Sequence, residues 1–357
     1  MTLRNFLAGL AVGGLLAAAS TASAQERMDI PQGEAWTHPH SGIVVPAALT
    51  GVERTDAIAY SADSLNNSVE FGHDGDHLSI YIYRNTSGGV PVWFEQARHG
   101  IVSRDIYRDP TEVGATRSFA LPGRETETGL RTVYAMPKNA PFKSTGLALF
   151  RLGEWYVKVR ASSKSREPMA LDAWMSEAIG ELTLPANLSA GPEVEAVTDC
   201  PEPLVFKKEA KDAPSDVGAA LISGLLGQIV MDRASEQASE GITPPQVDWC
   251  RDVQLGGNQT VYRPNASKDG YLIALGDSGI GISVGRDQSA ALLSDRKKPK
   301  PRYVATMHFD SEDVTFVAQN RLPSPKRVTQ LINAKRVATT VPTWGDEDSI
   351  EISSDAM

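Results

Sequence analysis

Cysteine is scarce in this chain: only Cys200 and Cys250 occur, and they are not spaced as a CxxC pair. That spacing excludes the common redox motif. An even pair in an oxidising compartment is expected to bond. The loop so closed would be worth about 3–4 kcal/mol in the chain-entropy account. Histidine is also thin, at six residues. Basic charge is in deficit, with 35 Lys and Arg against 44 Asp and Glu and a net charge of -9. A net acidic chain is a poor general ligand for nucleic acid, so no nucleic-acid partner is expected. Long apolar runs are missing as well. Spanning a bilayer takes roughly 20 consecutive apolar residues, and neither Phe6–Ala19 nor Val217–Met231 reaches that. No transmembrane anchor is therefore expected.

The chemistry-bearing motifs are absent too. There is no phosphate loop, dinucleotide fingerprint, zinc motif or complete catalytic triad. No cofactor and no metal site is expected.

What is present begins with a leader. Arg4 precedes the apolar run, and Ala22-Ser23-Ala24 gives the small-x-small pattern of a signal-peptidase site. Residues 1–24 read as a bacterial secretory signal, with the mature chain starting at Gln25. Removing Arg4 with it takes the charge to -10. A periplasmic or secreted location follows as an expectation. The remaining length exceeds one ordinary domain, so two are expected. A polar lead (25–40) precedes an N-terminal domain (41–185). A Pro/Glu/Lys-rich linker (186–214), a C-terminal domain (215–345) and an acidic tail (346–357), read as a frayed end, complete the chain.

"FGHDGDHLSIYIY", residues 71–83, places two histidines and two aspartates within five positions. Asp74-Gly75 is the favoured pair for a type I′ turn. His73 then faces Asp76, Phe71 faces Leu78 and Val69 faces Ile80. In that register His73 and His77 point to opposite faces and cannot share one ion. The Asp-Gly-Asp trio lacks the glutamate that closes a calcium loop. "TGLALFRLGEWYVKVRAS" repeats the design around Gly153-Glu154. One face is apolar, and the other mixes Tyr156, Lys158 and Arg160 with Leu147 and Leu149. A helix starting at Pro168 would cover that mixed face. Another helix is expected from about Pro91. The stretch from "SGIVVP" through "EWYVKVRAS" and its following helix, residues 41–182, resembles uncharacterised secreted proteins of Gram-negative bacteria. The resemblance implies no activity and no site residue.

In the C-terminal part, Gly276-Asp277-Ser278-Gly279 resembles the nucleophile motif of chymotrypsin-type serine proteases, but the following residue is Ile280 rather than Gly. No Ala-Ala-His-Cys element accompanies it. A hairpin turn at Asp277-Ser278 explains the same letters. It sets Leu275 opposite Ile280, Ile273 opposite Ile282 and Tyr271 opposite Val284. A third hairpin, "YVATMHFDSEDVTFVAQ", should pair Phe309 with Val314 across a four-residue loop and set His308 opposite Thr315. A short helix capped by Ser324 and a last strand, "RVATTV", complete this part. The helix around 217–231 carries Gly218, Gly224 and Gly227, which suit close packing in the core or, alternatively, an oligomer or membrane-surface contact. The segment "DRKKPKPRY" crowds Arg296, Lys297, Lys298, Lys300 and Arg302 into seven positions. It is either a solvated loop or a capture site for an anionic envelope component or protein.

The expected fold is α+β: two domains, each an antiparallel hairpin-built sheet with packed helices. The expected function is a non-catalytic periplasmic or secreted protein that binds a cell-envelope partner. The alternative is a periplasmic hydrolase with its site at the domain junction, using Ser278 and His308.

Overall fold

The computed structural model of the chain describes residues 25–214, 218, 236–237, 240–287, 301–345 and 349–353. The leader, nearly all of the Gly-rich stretch 217–231, four of the five basic residues (Arg296, Lys297, Lys298, Lys300) and part of the acidic tail lie outside the described residues.

Strands dominate. Among the described residues a ten-stranded sheet occupies the N-terminal part and a nine-stranded sheet the C-terminal part, with a two-stranded ribbon at Trp36–Thr37 and Val44–Val45. Nearly all pairings are antiparallel, Thr198–Asp199 against Trp249–Gly256 being parallel. Three α-helices occur among the described residues: α1 (Val90–Val102), α2 (Pro168–Glu181) and α3 (Pro325–Asn333). The fold is therefore mostly β, which corrects the α+β expectation. The helices form as expected, but each is only a lid on a much larger sheet.

Local chemistry sets the registers. In the first hairpin His73 pairs with Asp76, Phe71 with Leu78 and Val69 with Ile80. Asp74 and Gly75 both take positive φ, as a type I′ turn requires. Leu152–Trp155, Phe150–Val157 and Ala148–Val159 pair around Gly153-Glu154. Ile273–Ile282 and Tyr271–Val284 pair around Asp277-Ser278. The third hairpin differs. Met307 pairs with Val314 and His308 with Asp313, because the loop tightens so that Phe309 donates to the Glu312 carbonyl at 2.9 Å. The register shifts by two residues from the expected one. Face parity survives, but the partner of His308 changes from Thr315 to Asp313.

Period-2 alternation divides the first sheet into two unlike faces. Ile80, Ile82, Phe150, Val157 and Val159 form the apolar face, and α2 packs there through Leu171, Trp174 and Met175. This corrects the expectation that α2 covers the mixed face. Its apolar stripe finds a better match on the wholly apolar side, where each buried aliphatic or aromatic side chain contributes about 1.5–3 kcal/mol. The mixed face is covered instead by α1, through Trp93, Phe94, Ala97 and Ile101, and by the second sheet, through Tyr262, Leu272 and Ala274. A third core lies between the other face of the second sheet and α3, whose Val328 and Leu331 pack on Tyr271, Ile273, Ile282 and Phe316. Ser324 caps α3, its side chain accepting from the Arg327 N–H at 3.2 Å.

Cys200 and Cys250 are bonded. Residues 186–214 run between the sheets with contacts along their length: Ala190 joins the first core, Val194 the second, and Leu204 and Phe206 pack against the third. Near the C-terminus Glu351–Ile352 pairs with Thr339–Thr340 as an edge strand. No helix among the described residues is long and apolar enough to cross a membrane.

Candidate functional site

The mixed face is not covered everywhere. Beyond the end of α1 it opens into a cavity of about 500 Å³. The floor comes from two neighbouring strands, Asp76–Arg84 and Trp155–Ser163. Their register sets Lys158 beside Tyr81, Arg160 beside Ser79 and Ser162 beside His77. Tyr83, Tyr60 and Asn66 extend this floor, Arg104, Tyr107 and Phe142 form a wall, and Asp277 and Ser278 of the second sheet close one side. Residues from both sheets thus make one cavity.

Lys158 is its electrostatic centre. The side chain is 6% exposed, and its Nζ lies 3.0 Å from Asp277 Oδ2. It also donates to the Asp277 carbonyl at 2.9 Å. The ammonium sits over the rings of Tyr81, at 4.7 Å, and Tyr83, at 5.4 Å, where the ring quadrupoles favour a cation. Arg160 approaches the same carboxylate at 3.9 Å and donates to the Tyr107 hydroxyl at 3.5 Å. Burial pushes the Lys158 pKa down, opposed by Asp277. For Asp277, burial alone would push the pKa up, but Lys158 and then Arg160 outweigh it and hold it low. Burial raises Tyr81 to about 12 and Tyr83 well above its ordinary value. Tyr107 goes the other way: burial is outweighed by Arg160 and by hydrogen bonds with Ser162 and Thr145, and its pKa falls.

The balance of this site is cationic. Lys158, Arg160 and Arg104 face one carboxylate, Asp277. The Tyr83 hydroxyl is buried and has no hydrogen-bond partner among the described residues. A buried donor in that condition costs about 1–3 kcal/mol. With tyrosine and phenylalanine rings on the walls, the arrangement can hold an anionic group and stack a flat or ring-shaped body beside it.

The residues expected from the sequence fall in several places. Ser278 lines the cavity. His308 does not meet it. Its Nε2 lies 2.7 Å from Ser283 Oγ and its Nδ1 lies 2.8 Å from Asp313 Oδ1, so both ring nitrogens are taken. Arg302, the one described member of the basic segment, folds back toward Asp287 at 3.9 Å and is 18% exposed. His77 stands at the cavity edge-on to Phe142, while His73 is exposed beside Asp74. The two imidazoles diverge as their parity requires. His38 and His40 meet each other and Trp155 instead. No group of three or more His, Cys, Asp or Glu among the described residues could hold a metal ion.

Sequence reasoning recognised the mixed face but not the cavity on it. The cross-strand pairs Lys158–Tyr81 and Arg160–Ser79 follow from parity once the two hairpins are known to be neighbours. The closing residues Asp277 and Ser278 come from more than 100 positions away, and no local pattern announces them. Comparison of the chain with protein-family models, with curated proteins and with solved structures finds no match.

Proposed function

We propose that the protein is a binding protein of the bacterial envelope and that the cavity between its sheets holds the anionic group of an envelope component. The ligand class is a phosphate or carboxylate carried on a ring-bearing body, such as a sugar or an aryl group. The observation that carries this reading is the buried Lys158 over the Tyr81 and Tyr83 rings with Asp277 and Arg160 beside it, cationic charge in excess, and a cavity of about 500 Å³ at the cluster. That volume is within the usual range for small-molecule sites. The net charge of -9 disfavours a large polyanion but not a small one that reaches desolvated cations. The secretory leader and the disulfide support the periplasmic or secreted setting.

The test is calorimetric titration of the purified protein with phenyl phosphate, glucose 6-phosphate and benzoate. At least one should bind, and Arg160→Ala should weaken that binding about tenfold or more, since a hydrogen bond to a charged group is worth about 1.5–3 kcal/mol. Absence of heat with all three, or equal affinity in Arg160→Ala, would remove the cavity as an anion site.

A further inference from the structure

The second sheet holds a constellation that the cavity does not use. Ser283, His308 and Asp313 lie on three successive strands, Gly281–Arg286, Tyr303–His308 and Glu312–Phe316. Pairing of Gly281 with His308 and of Ser283 with Thr306 makes Ser283 and His308 diagonal neighbours on one face. Pairing of His308 with Asp313 puts the carboxylate directly across from the ring. The contacts are ordered: hydroxyl on Nε2 at 2.7 Å, carboxylate on Nδ1 at 2.8 Å. An Nδ1–H donated to the carboxylate leaves Nε2 free to accept the serine proton, the arrangement that activates a serine nucleophile. The neighbouring Thr306–Thr315 contact, at 3.0 Å, is an ordinary cross-strand hydroxyl pair with no such polarity.

The surroundings suit a reactive group. The His308 and Asp313 side chains are 14% and 15% exposed, shielded from bulk water but still reachable. On the same strand and face Ser283 is flanked by Gly281 and Gly285; the space a Cβ would fill is open at Gly285 and is taken at Gly281 by Leu272 and Ser87, each 2.9 Å away, so approach is from the Gly285 side. Arg84 donates to the carbonyl of Asp310 at 2.9 Å, bracing the turn that carries Asp313. Asp313 is one of the carboxylates whose charge acts on the buried Arg84 guanidinium, after Glu154.

We propose that Ser283 is an activated nucleophile, with His308 as its base and Asp313 as the positioning residue, and that it accepts acyl groups from esters. In the step, Ser283 Oγ bonds to the acyl carbon while its proton passes to His308 Nε2. The ester C–O bond breaks, and the leaving alcohol takes that proton. Water then gives a proton to the same nitrogen and bonds to the acyl carbon, the Ser283 Oγ–C bond breaks, the proton returns to Oγ, and the acyl group leaves as the carboxylic acid. The site is distinct from the anion cavity, so either reading can fail alone.

The experiment is labelling of the folded, disulfide-bonded protein with a fluorophosphonate. Here the Ser283 O–P bond forms, fluoride leaves, and the proton goes to His308. One adduct per chain, located on Ser283 by peptide mass spectrometry, is expected. His308→Gln should slow labelling by on the order of 100-fold. Asp313→Asn should slow it as well, with partial rescue in Asp313→Glu, an outcome a purely structural contact would not give. Thermal melts and phosphate-ester binding of each variant separate loss of reactivity from loss of fold. An unlabelled wild-type protein, an adduct on Ser278 instead, or unchanged labelling in His308→Gln would overturn the proposal and leave the three residues as a cross-strand polar ladder.

Discussion

A single buried imidazole shows how little separates a structural residue from a liability in this chain. His38 is completely buried, its Nδ1 lying 2.8 Å from Ser41 Oγ and its Nε2 3.0 Å from the Ser64 carbonyl. Its ring packs edge-on against Trp155 with centroids 4.4 Å apart. Burial is the main cause of a pKa lowered to about 4, partly offset by the Ser64 carbonyl and reinforced by His40. The folded state therefore holds His38 neutral where the unfolded chain would protonate it. Between the ordinary value of about 6.5 and about 4 the unfolded state binds more protons, so stability rises with pH across that window. The stabilisation is fully present above about pH 6.5 and is lost as pH falls toward 4, amounting to about 3 kcal/mol. His38→Gln removes this dependence. Urea unfolding at pH 7 and at pH 4.5 checks it: the wild type should lose more stability than the variant on acidification, and parallel losses would show that His38 is not the group responsible. Nothing in "THPH" could reveal this, because the burial comes from Trp155, more than a hundred residues away.

Elements were more legible than residues, and turn chemistry decided which ones. Asp74-Gly75, Gly153-Glu154 and Asp277-Ser278 each carry glycine in or beside the turn, and alternating apolar residues leave one register that buries one face. All three registers stand as the sequence implies. "DSED" carries no such mark, and the true turn there is tighter by two residues. That shift is what sets Asp313 beside His308, so the Ser283–His308–Asp313 contact was invisible to a reading that put Thr315 there. Prolines and caps also mark α1, α2 and α3 in the sequence, but not how small a share of the fold they make. Helical spacing says that α2 is amphipathic, not which sheet face it seeks. The Asp277-Ser278 hairpin makes its own prediction. Gly279 has φ +91, and a Cβ there would lie 3.2 Å from both the Arg84 carbonyl and the Tyr83 ring. Gly279→Ala meets a strained backbone and a close approach to the first sheet together, so it should cost about 1–3 kcal/mol. Because the turn carries Asp277, anion affinity should fall with it. An unchanged urea midpoint would show that the hairpin tip shifts freely.

At the scale of the molecule the question is whether the two sheets are separate folding units. Composition and length argue for two, but the contacts argue for joint stability. Tyr262, Leu272 and Ala274 of the second sheet share a core with Trp93, Phe94, Leu147 and Tyr156 of the first part. Polar links cross the same boundary: Gln96 donates to the Asn258 and Gly276 carbonyls at 3.0 and 2.8 Å and accepts from the Tyr262 hydroxyl at 3.1 Å. Arg251 pairs with Glu95 at 2.6 Å, and the buried Lys158 with Asp277 at 3.0 Å. Parting the sheets would expose the shared apolar face and leave Lys158 without its carboxylate, and breaking a buried pair alone costs about 3–5 kcal/mol. A sheet standing alone would carry most of that loss, a large fraction of the 5–15 kcal/mol that holds a typical fold together. The disulfide-bonded chain should therefore unfold in one calorimetric transition whose measured and van't Hoff enthalpies agree. Leu272→Ala removes a side chain from the shared core and should cost about 2–5 kcal/mol, lowering that single transition rather than splitting it. Two transitions in the wild type would mean that the core around Trp93 belongs to one sheet and merely touches the other. The anion cavity, built from both, would then have to form by docking of finished halves, and its affinity would disappear at the first transition while the second sheet was still folded.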